Sequence, residues 1–291
     1  MGFYSLFYAK VMTLIEAIIL GLIQGLTEFI PISSTAHLTI AGKMMGLIDP
    51  NNPEHWTAFI AIIQLGTIAA VFLYFAKEVK EVPVAFIQDN FINRKSYKQQ
   101  SEYSRLGWLI IAGSVPVVLV GLSMKKIIEG NLTKDPIIIG STLIILAIIL
   151  YIAEKFAPLN REMNKLTMKD AWLTGIAQCF ALIPGASRSG TTITAGLFLG
   201  MDRQTAAKFS FLLSIPAITG AGLLELKSAI GYMSPEDYLP LIIATLISGI
   251  SGYASIAFLI KFLKNNSTLL FVNYRIIIGI IVLILANNGL L

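Results

Sequence analysis

The chain has 291 residues, of which 55% are hydrophobic and only 13% charged, and its mean hydropathy is +0.74. A water-soluble protein of this length needs far more charge to cover its surface, so lipid is the expected solvent. The net charge of +5 has no basic cluster on a soluble domain to carry it, which argues against nucleic acid as a partner and for a charge bias across a bilayer.

The start, MGFYSLFYAKVMTLIEAIILG, lacks a basic n-region and runs directly into motif residues, so it is expected to stay in the mature protein. The first apolar stretch, 11–46, is not a simple span. Pro31, several Gly and a run of Ser/Thr interrupt it, and it carries Glu28 and His37. Broken, polar helices occur at membrane depth only where protein or a wet cavity surrounds them. A re-entrant helical hairpin is therefore predicted. Gln24 and Glu28, four residues apart, share one helix face. Pro31 breaks that helix, and Ser33, Ser34, Thr35 and His37 follow at the break. A carboxylate, hydroxyls and an imidazole so close together can bind a divalent cation, transfer a proton and supply a nucleophile. Ionisable groups inside a membrane are costly, so function is their default explanation. Glu16 has no evident partner.

His55 and Trp56 come next and are expected as interfacial anchors. Spans are predicted at about 58–76, 106–123 and 136–153, since crossing about 30 Å of hydrocarbon takes roughly 20 helical residues. The mixed-charge stretch KEVKEVP between the first two is expected to be a solvated loop.

The second broken stretch, 171–201, is centred on Pro184 and predicts another hairpin. Its sequence LIPGASRSGTTITAGL sets Arg188 between Ser187 and Ser189, with Gly185 and Gly190 on either side and Thr191 and Thr192 beyond. Glycines let backbone N–H groups approach an anion, hydroxyls donate further hydrogen bonds, and a guanidinium fork matches phosphate oxygens. A helix restarting near Gly190 would point its N-terminal dipole at the same anion. The Lys-Ser/Thr pair of a nucleotide-binding P-loop is absent. Cys179, the one cysteine, excludes an internal disulfide. Spans are predicted at about 209–225, 239–260 and 274–291, with Gln64 and Ser214 at matching places as possible cavity-lining residues.

The two halves repeat. Gln24, Pro31, a serine pair, Thr39 to Gly42 and Gly46 correspond to Gln178, Pro184, Ser187 and Ser189, Ile193 to Gly196 and Gly200. One hairpin plus three spans is an odd number of crossings, so the copy at 171–291 is expected upside down relative to that at 11–153. Inverted repeats of broken helices place a polar site near the midplane. The predicted fold is an all-α integral membrane protein, a single membrane domain over 1–291, with six transmembrane helices plus two re-entrant helical hairpins in an inverted-topology repeat. Loops 77–105, 154–170, 201–208 and 261–275, the last including Arg275, hold most of the Lys and Arg and are predicted to be cytoplasmic, with both termini outside.

In these two segments the chain resembles the undecaprenyl-diphosphate phosphatase (bacitracin-resistance protein) family. QGLTEFIPISSTAH fits the family's [E/Q]-x-x-x-E motif with the following Ser-Ser-Thr-x-His, and PGASRSGTT fits its PGxSRSxxT motif. The resemblance covers nearly the whole chain. It implies an enzyme of the bacterial inner membrane that removes the terminal phosphate from undecaprenyl diphosphate, an isoprenoid diphosphate lipid, recycling the carrier for cell-wall synthesis, with a divalent cation, Mg²⁺ or Ca²⁺, and a site open to the periplasm. It further implies that Glu28 is the essential acid, that Ser34 and His37 sit at the attacked phosphorus, and that Arg188 grips the diphosphate with Ser187, Ser189 and Thr192. Gln24 stands where many members have Glu; an amide is no base and a weaker cation ligand, so Glu28 would carry most of the charge at a metal. The attacker is left open among Ser34, His37 and a metal-bound water, and a homodimer is left open as an assembly. The competing class is a lipid-phosphate flippase or anion carrier on the same inverted repeat.

Overall fold

In the computed structural model, which describes residues 12–231 and 233–291, a capping box opens the first helix, α1 (Leu14–Glu28): the Glu16 carboxylate accepts from the Thr13 backbone N–H at 2.8 Å while the Thr13 hydroxyl accepts from Glu16 N. Glu16 thus has the partner its sequence context did not suggest. Lys10 and the other residues before Met12 lie outside the described residues. The helix stops at Glu28 because Pro31 has no N–H to continue it and disfavours helical geometry in the residue before it. The chain restarts at Ser33, whose φ is 75° and whose hydroxyl accepts from Ala36 N, and runs on as α2 (Ser34–Met44). Gly46, at φ +66°, closes α2 with Leu47 N donating to Gly42 O at 2.9 Å; glycine takes this left-handed turn without a Cβ penalty.

Trp56 does not anchor an interface. It is 2% exposed near the start of α3 (Pro53–Tyr74), packed into the space that Gly42 leaves open. The KEVKEVP stretch is no loop either; it lies within α4 (Ala76–Ile87), which holds Pro83 in its interior. Val79 and Val82 pack on the core and the Phe86 ring lies 5.0 Å from that of Trp108. That narrow apolar stripe at helical spacing is masked by the charges between. There follow α5 (Glu102–Ser123), the short α6 (Lys125–Glu129) and α7 (Pro136–Phe156), capped by Asp135.

The second half reuses the local devices of the first. A Thr167–Asp170 capping box opens α8 (Met168–Cys179), a single turn covers Phe180–Leu182, and the chain breaks at Pro184. Ser187, at φ 68°, accepts from Gly190 N at 3.1 Å and opens α9 (Arg188–Phe198), which therefore begins at Arg188 rather than near Gly190. Gly200, at φ +82°, closes it with Met201 N on Gly196 O at 2.9 Å. Then come α10 (Arg203–Ala229), α11 (Pro235–Asn265) and α12 (Leu269–Asn287).

Among the described residues, six helices are long and apolar enough to cross a membrane: α3, α5, α7, α10, α11 and α12. Most run past the predicted spans, because polar caps such as Asp202 on Thr205 N extend them beyond the apolar stretch. Ile15, Leu73, Ile148, Ile250 and Ile277 stay exposed on the outside, a surface that suits lipid and not water. Each broken pair is clasped by a helix of the other half. In α1, Gly21 and Gly25 bring its backbone against α11, and Gly175 of α8 lies on Gly113 of α5. Small residues at such crossings let helix backbones approach closely, as membrane packing requires. Arg275 is not the loop charge that its place at the end of 261–275 predicts. It is 1% exposed inside α12.

Candidate active site

Glu28 is the last residue of α1, and its carboxylate is buried. Oε2 accepts from Gln24 Nε2 at 2.9 Å and from Ser34 Oγ at 2.7 Å. Oε1 pairs with Arg188 Nη2 at 2.8 Å. Ser34 and Arg188 are each the first residue of the helix that follows a break, immediately after a serine of positive φ. The same local geometry, used twice, thus delivers a hydroxyl from one half and a guanidinium from the other to a single carboxylate. A buried ion pair of this kind tolerates desolvation only when further hydrogen bonds satisfy both partners. Gln24 and Ser34 satisfy the carboxylate here, and the Ser210 carbonyl accepts from Arg188 Nη1 at 3.3 Å, which leaves Arg188 Nε without a partner.

Two side chains hold the breaks against each other. Ser189 Oγ reaches the carbonyls of Glu28 and Ile30, at 3.3 and 3.2 Å. Arg275 of α12 donates to Pro31 O in the first break, to Gly185 O and Ala186 O in the second, and to Leu143 O of α7, all between 3.0 and 3.4 Å. This residue escaped the sequence reasoning because the predicted last span began at 274 and left it at a loop end. The signal was present: an arginine in an otherwise apolar run, which the cost of intramembrane charge marks as meaningful.

Both ring nitrogens of His37 are engaged by groups other than Ser34. Its Nδ1 lies 2.7 Å from Ser33 O and its Nε2 2.8 Å from the hydroxyl of Tyr274, on which the ring stacks. A carbonyl only accepts, so Nδ1 carries the proton, and in the neutral ring Nε2 accepts from the Tyr274 hydroxyl. The base within reach of the Ser34 hydroxyl is therefore Glu28. Tyr274 was not anticipated either; nothing in its sequence neighbourhood separates it from an ordinary interfacial tyrosine.

Glu28, Ser33, Ser34, Thr35, Gly185, Ser187 and Arg188 share the wall of a cavity of about 560 Å³. From this polar end the wall continues over apolar residues, among them Val117, Leu122, Ile218 and Leu224, to Lys125, Glu129 and Glu225, where Lys125 pairs with both acids. Gln64 lies in the same wall, whereas Ser214 is buried and donates to Phe211 O. Two expected phosphate contacts are otherwise engaged: Ser189 with the first break, and Thr192 with Arg188 O and the Ser210 hydroxyl at 2.8 and 2.6 Å. Both hydroxyls meet the protein's own polar groups because α9 packs tightly on its neighbours.

For a hard divalent cation the fit is partial. Among the described residues no three His, Cys, Asp or Glu come together. Glu28 is the one carboxylate at this end of the cavity, and the buried Oε1 of Gln24 beside it has no hydrogen-bond partner. Magnesium is commonly held by one or two carboxylates, with phosphate oxygens and water completing its shell. The residues suit a cation that arrives with, or is completed by, a phosphate ligand.

Six helices long and apolar enough to cross a membrane, around a cavity that ends on a buried carboxylate, hydroxyl and guanidinium, define a multi-pass membrane protein with a polar chamber between its helices. The bacitracin resistance protein BacA family model matches residues 17–281. The chain belongs to that family. It is 54% identical over 268 residues to the undecaprenyl-diphosphatase of Syntrophobacter fumaroxidans, covering 92% of this chain and 95% of the relative. It is 47% identical to the undecaprenyl-diphosphatase of Chloroherpeton thalassium, with 96% and 98% covered. The Myxococcus xanthus protein of the same name is 46% identical, with 96% and 91% covered.

Proposed function

We propose that this chain hydrolyses undecaprenyl diphosphate to undecaprenyl phosphate and inorganic phosphate, returning the lipid carrier to cell-wall synthesis. The name shared by its relatives supports the substrate. The observation that carries the chemistry is the Ser34 hydroxyl donating to the Glu28 carboxylate with Arg188 on the other oxygen.

In this reading the isoprenoid tail lies along the apolar wall and the diphosphate enters the polar end. Arg188 turns its guanidinium from Glu28 to the phosphate oxygens, which frees the carboxylate to take the Ser34 proton. Ser34 Oγ bonds to the terminal phosphorus as the bridging P–O bond breaks, and undecaprenyl phosphate leaves. Glu28 passes that proton to the departing undecaprenyl phosphate, then takes a proton from the water that attacks the phosphoserine and returns it to Ser34 Oγ as inorganic phosphate leaves. Phosphoryl transfer depends above all on positioning and on neutralising developing charge, and Arg188 with the Ser187 and Ser33 region supplies both. His37, locked between Ser33 and Tyr274, positions the first turn of α2. A Mg²⁺ or Ca²⁺ ion would be held by Glu28 and Gln24, and would add positive charge beside the diphosphate.

The two broken segments are proposed as re-entrant hairpins of an inverted repeat, 11–153 and 171–291, in one membrane domain. Support comes from the matched serine and glycine caps and from the crossed packing of α1 on α11 and α8 on α5. The loop-charge bias, with Arg275 withdrawn from it, still favours an inner-membrane orientation with the cavity open to the periplasm. A flippase or anion carrier is not favoured, since it has no use for a serine hydroxyl directed at a carboxylate.

The test is phosphate release from undecaprenyl diphosphate by the purified protein in detergent, with and without chelator, for wild type and Glu28→Gln. Wild type should release phosphate and the variant almost none. A Glu28→Gln protein as fast as wild type would end this mechanism, and a wild type that releases none would end the phosphatase assignment.

A further inference from the structure

Among the described residues, seven buried side-chain nitrogen and oxygen atoms lack a hydrogen-bond partner, and four of them surround this site. They are Gln24 Oε1, Arg188 Nε, and both Nε2 and Oε1 of Gln178. Gln178 is 0% exposed, on the last turn of α8, and belongs to the same cavity wall as Ser187 and Arg188.

Its position explains why it is bare. Gln178 precedes Ser187 by the same step that separates Gln24 from Ser33, and both serines cap the next helix at positive φ. In the first half the residue one helical turn beyond the glutamine is Glu28, to which Gln24 donates. In the second half that residue is Leu182, so the matching carboxamide has no carboxylate to meet. A buried amide with neither end bonded is costly, and leucine would fill the same space without that cost. Packing alone therefore does not account for a glutamine here. A ligand bringing acceptor oxygens together with a donor hydroxyl or water does.

We propose that Gln178 is a phosphate-binding residue of this site: its Nε2 donates to an oxygen of the diphosphate gripped by Arg188, and its Oε1 accepts from a phosphate hydroxyl or a water bound with it. This rests on the phosphatase reading above and adds a second-half counterpart to Gln24, one half turning its carboxamide to the acid and the other to the substrate.

The test uses the full chain in detergent, with Gln178→Leu as an apolar replacement of similar size and Gln178→Glu as a replacement that adds a negative charge against the diphosphate. KM for undecaprenyl diphosphate should rise about tenfold in Gln178→Leu, the loss of one hydrogen bond to a charged group, with kcat changed far less. Inorganic phosphate should raise the melting temperature of wild type but not of Gln178→Leu, while the ligand-free variant melts at or above wild type. Gln178→Glu should raise KM further. The proposal is overturned if Gln178→Leu keeps wild-type KM and the full phosphate-induced shift, or if it melts well below wild type and loses kcat at unchanged KM, the mark of a purely structural role. Should wild type release no phosphate from the lipid, the phosphatase reading fails, and the phosphate-induced shift still decides Gln178 on its own.

Discussion

Arg188 Nη2 stands 2.8 Å from Glu28 Oε1 across 160 residues of sequence, so the two broken segments meet at one buried ion pair. The carboxylate's other oxygen takes the proton-bearing side of Ser34. One acid thus faces a cation and a nucleophile candidate at once. Its two oxygens assign the two tasks.

If Glu28 and Ser34 act as a unit, Ser34→Ala and Glu28→Gln should each lower kcat by about 10²–10⁴-fold, the range for a lost proton acceptor in a positioned site. The double variant should be no slower than the worse single one, since residues of one catalytic unit are not additive. Steady-state phosphate release by the three variants checks this. Multiplied losses would mean that the two side chains serve separate steps.

Tyr274→Phe removes only the hydroxyl from which His37 Nε2 accepts. A neutral hydrogen bond contributes about 1 kcal/mol, so kcat should fall about fivefold. A loss as deep as that of Ser34→Ala would show the imidazole or the phenol touching the reacting phosphate, and the positioning role of His37 would be wrong.

Arg275→Met strips the donors from Pro31 O, Gly185 O, Ala186 O and Leu143 O together. Leu143 O keeps its bond within α7, but each carbonyl of the breaks left buried and unbonded costs about 1–3 kcal/mol, so thermal unfolding in detergent should fall well below wild type. Arg275→Lys should recover part of the loss by reaching some of the same carbonyls. A Met variant that melts with wild type would mean that the breaks are held together by other contacts.

Lys134, on the turn Asn131–Lys134 and in the cavity wall, is buried while donating to Glu129 O and Gly130 O at 2.7 and 2.9 Å. Burial pushes its ammonium down to about 8 from the ordinary 10.5, against the opposing pull of Glu54 and Glu129. The folded state therefore releases this proton before the unfolded state does. Between about pH 8 and 10.5 the unfolded chain binds more protons, so stability from this group rises with pH there and is flat below. The melting temperature followed from pH 7 to about 10 in wild type and Lys134→Met should show that rise only in wild type. Parallel curves would remove Lys134 as its source.

What the sequence by itself determined was everything that acts locally. Long apolar runs marked α3, α5, α7, α10, α11 and α12, because a bilayer demands about 20 helical residues. Pro31 and Pro184 marked the two breaks, because proline cannot continue a helix from within, and the matched serines and glycines marked how each break restarts and ends. The identities of Glu28, Ser34 and Arg188 were legible for the same reason: charge and hydroxyls at an interrupted apolar run need a purpose. Tertiary structure alone decided where those groups point. It gave the Ser34 proton to Glu28 and engaged His37 with Tyr274, 237 residues away. It folded Trp56 inward against Gly42, made a helix of KEVKEVP, and drew Arg275 from an apparent loop end to the seam between both breaks. Periodicity and backbone breaks are properties of neighbours in the chain, whereas the direction of a side chain follows from which distant surface buries it and which distant polar group satisfies it.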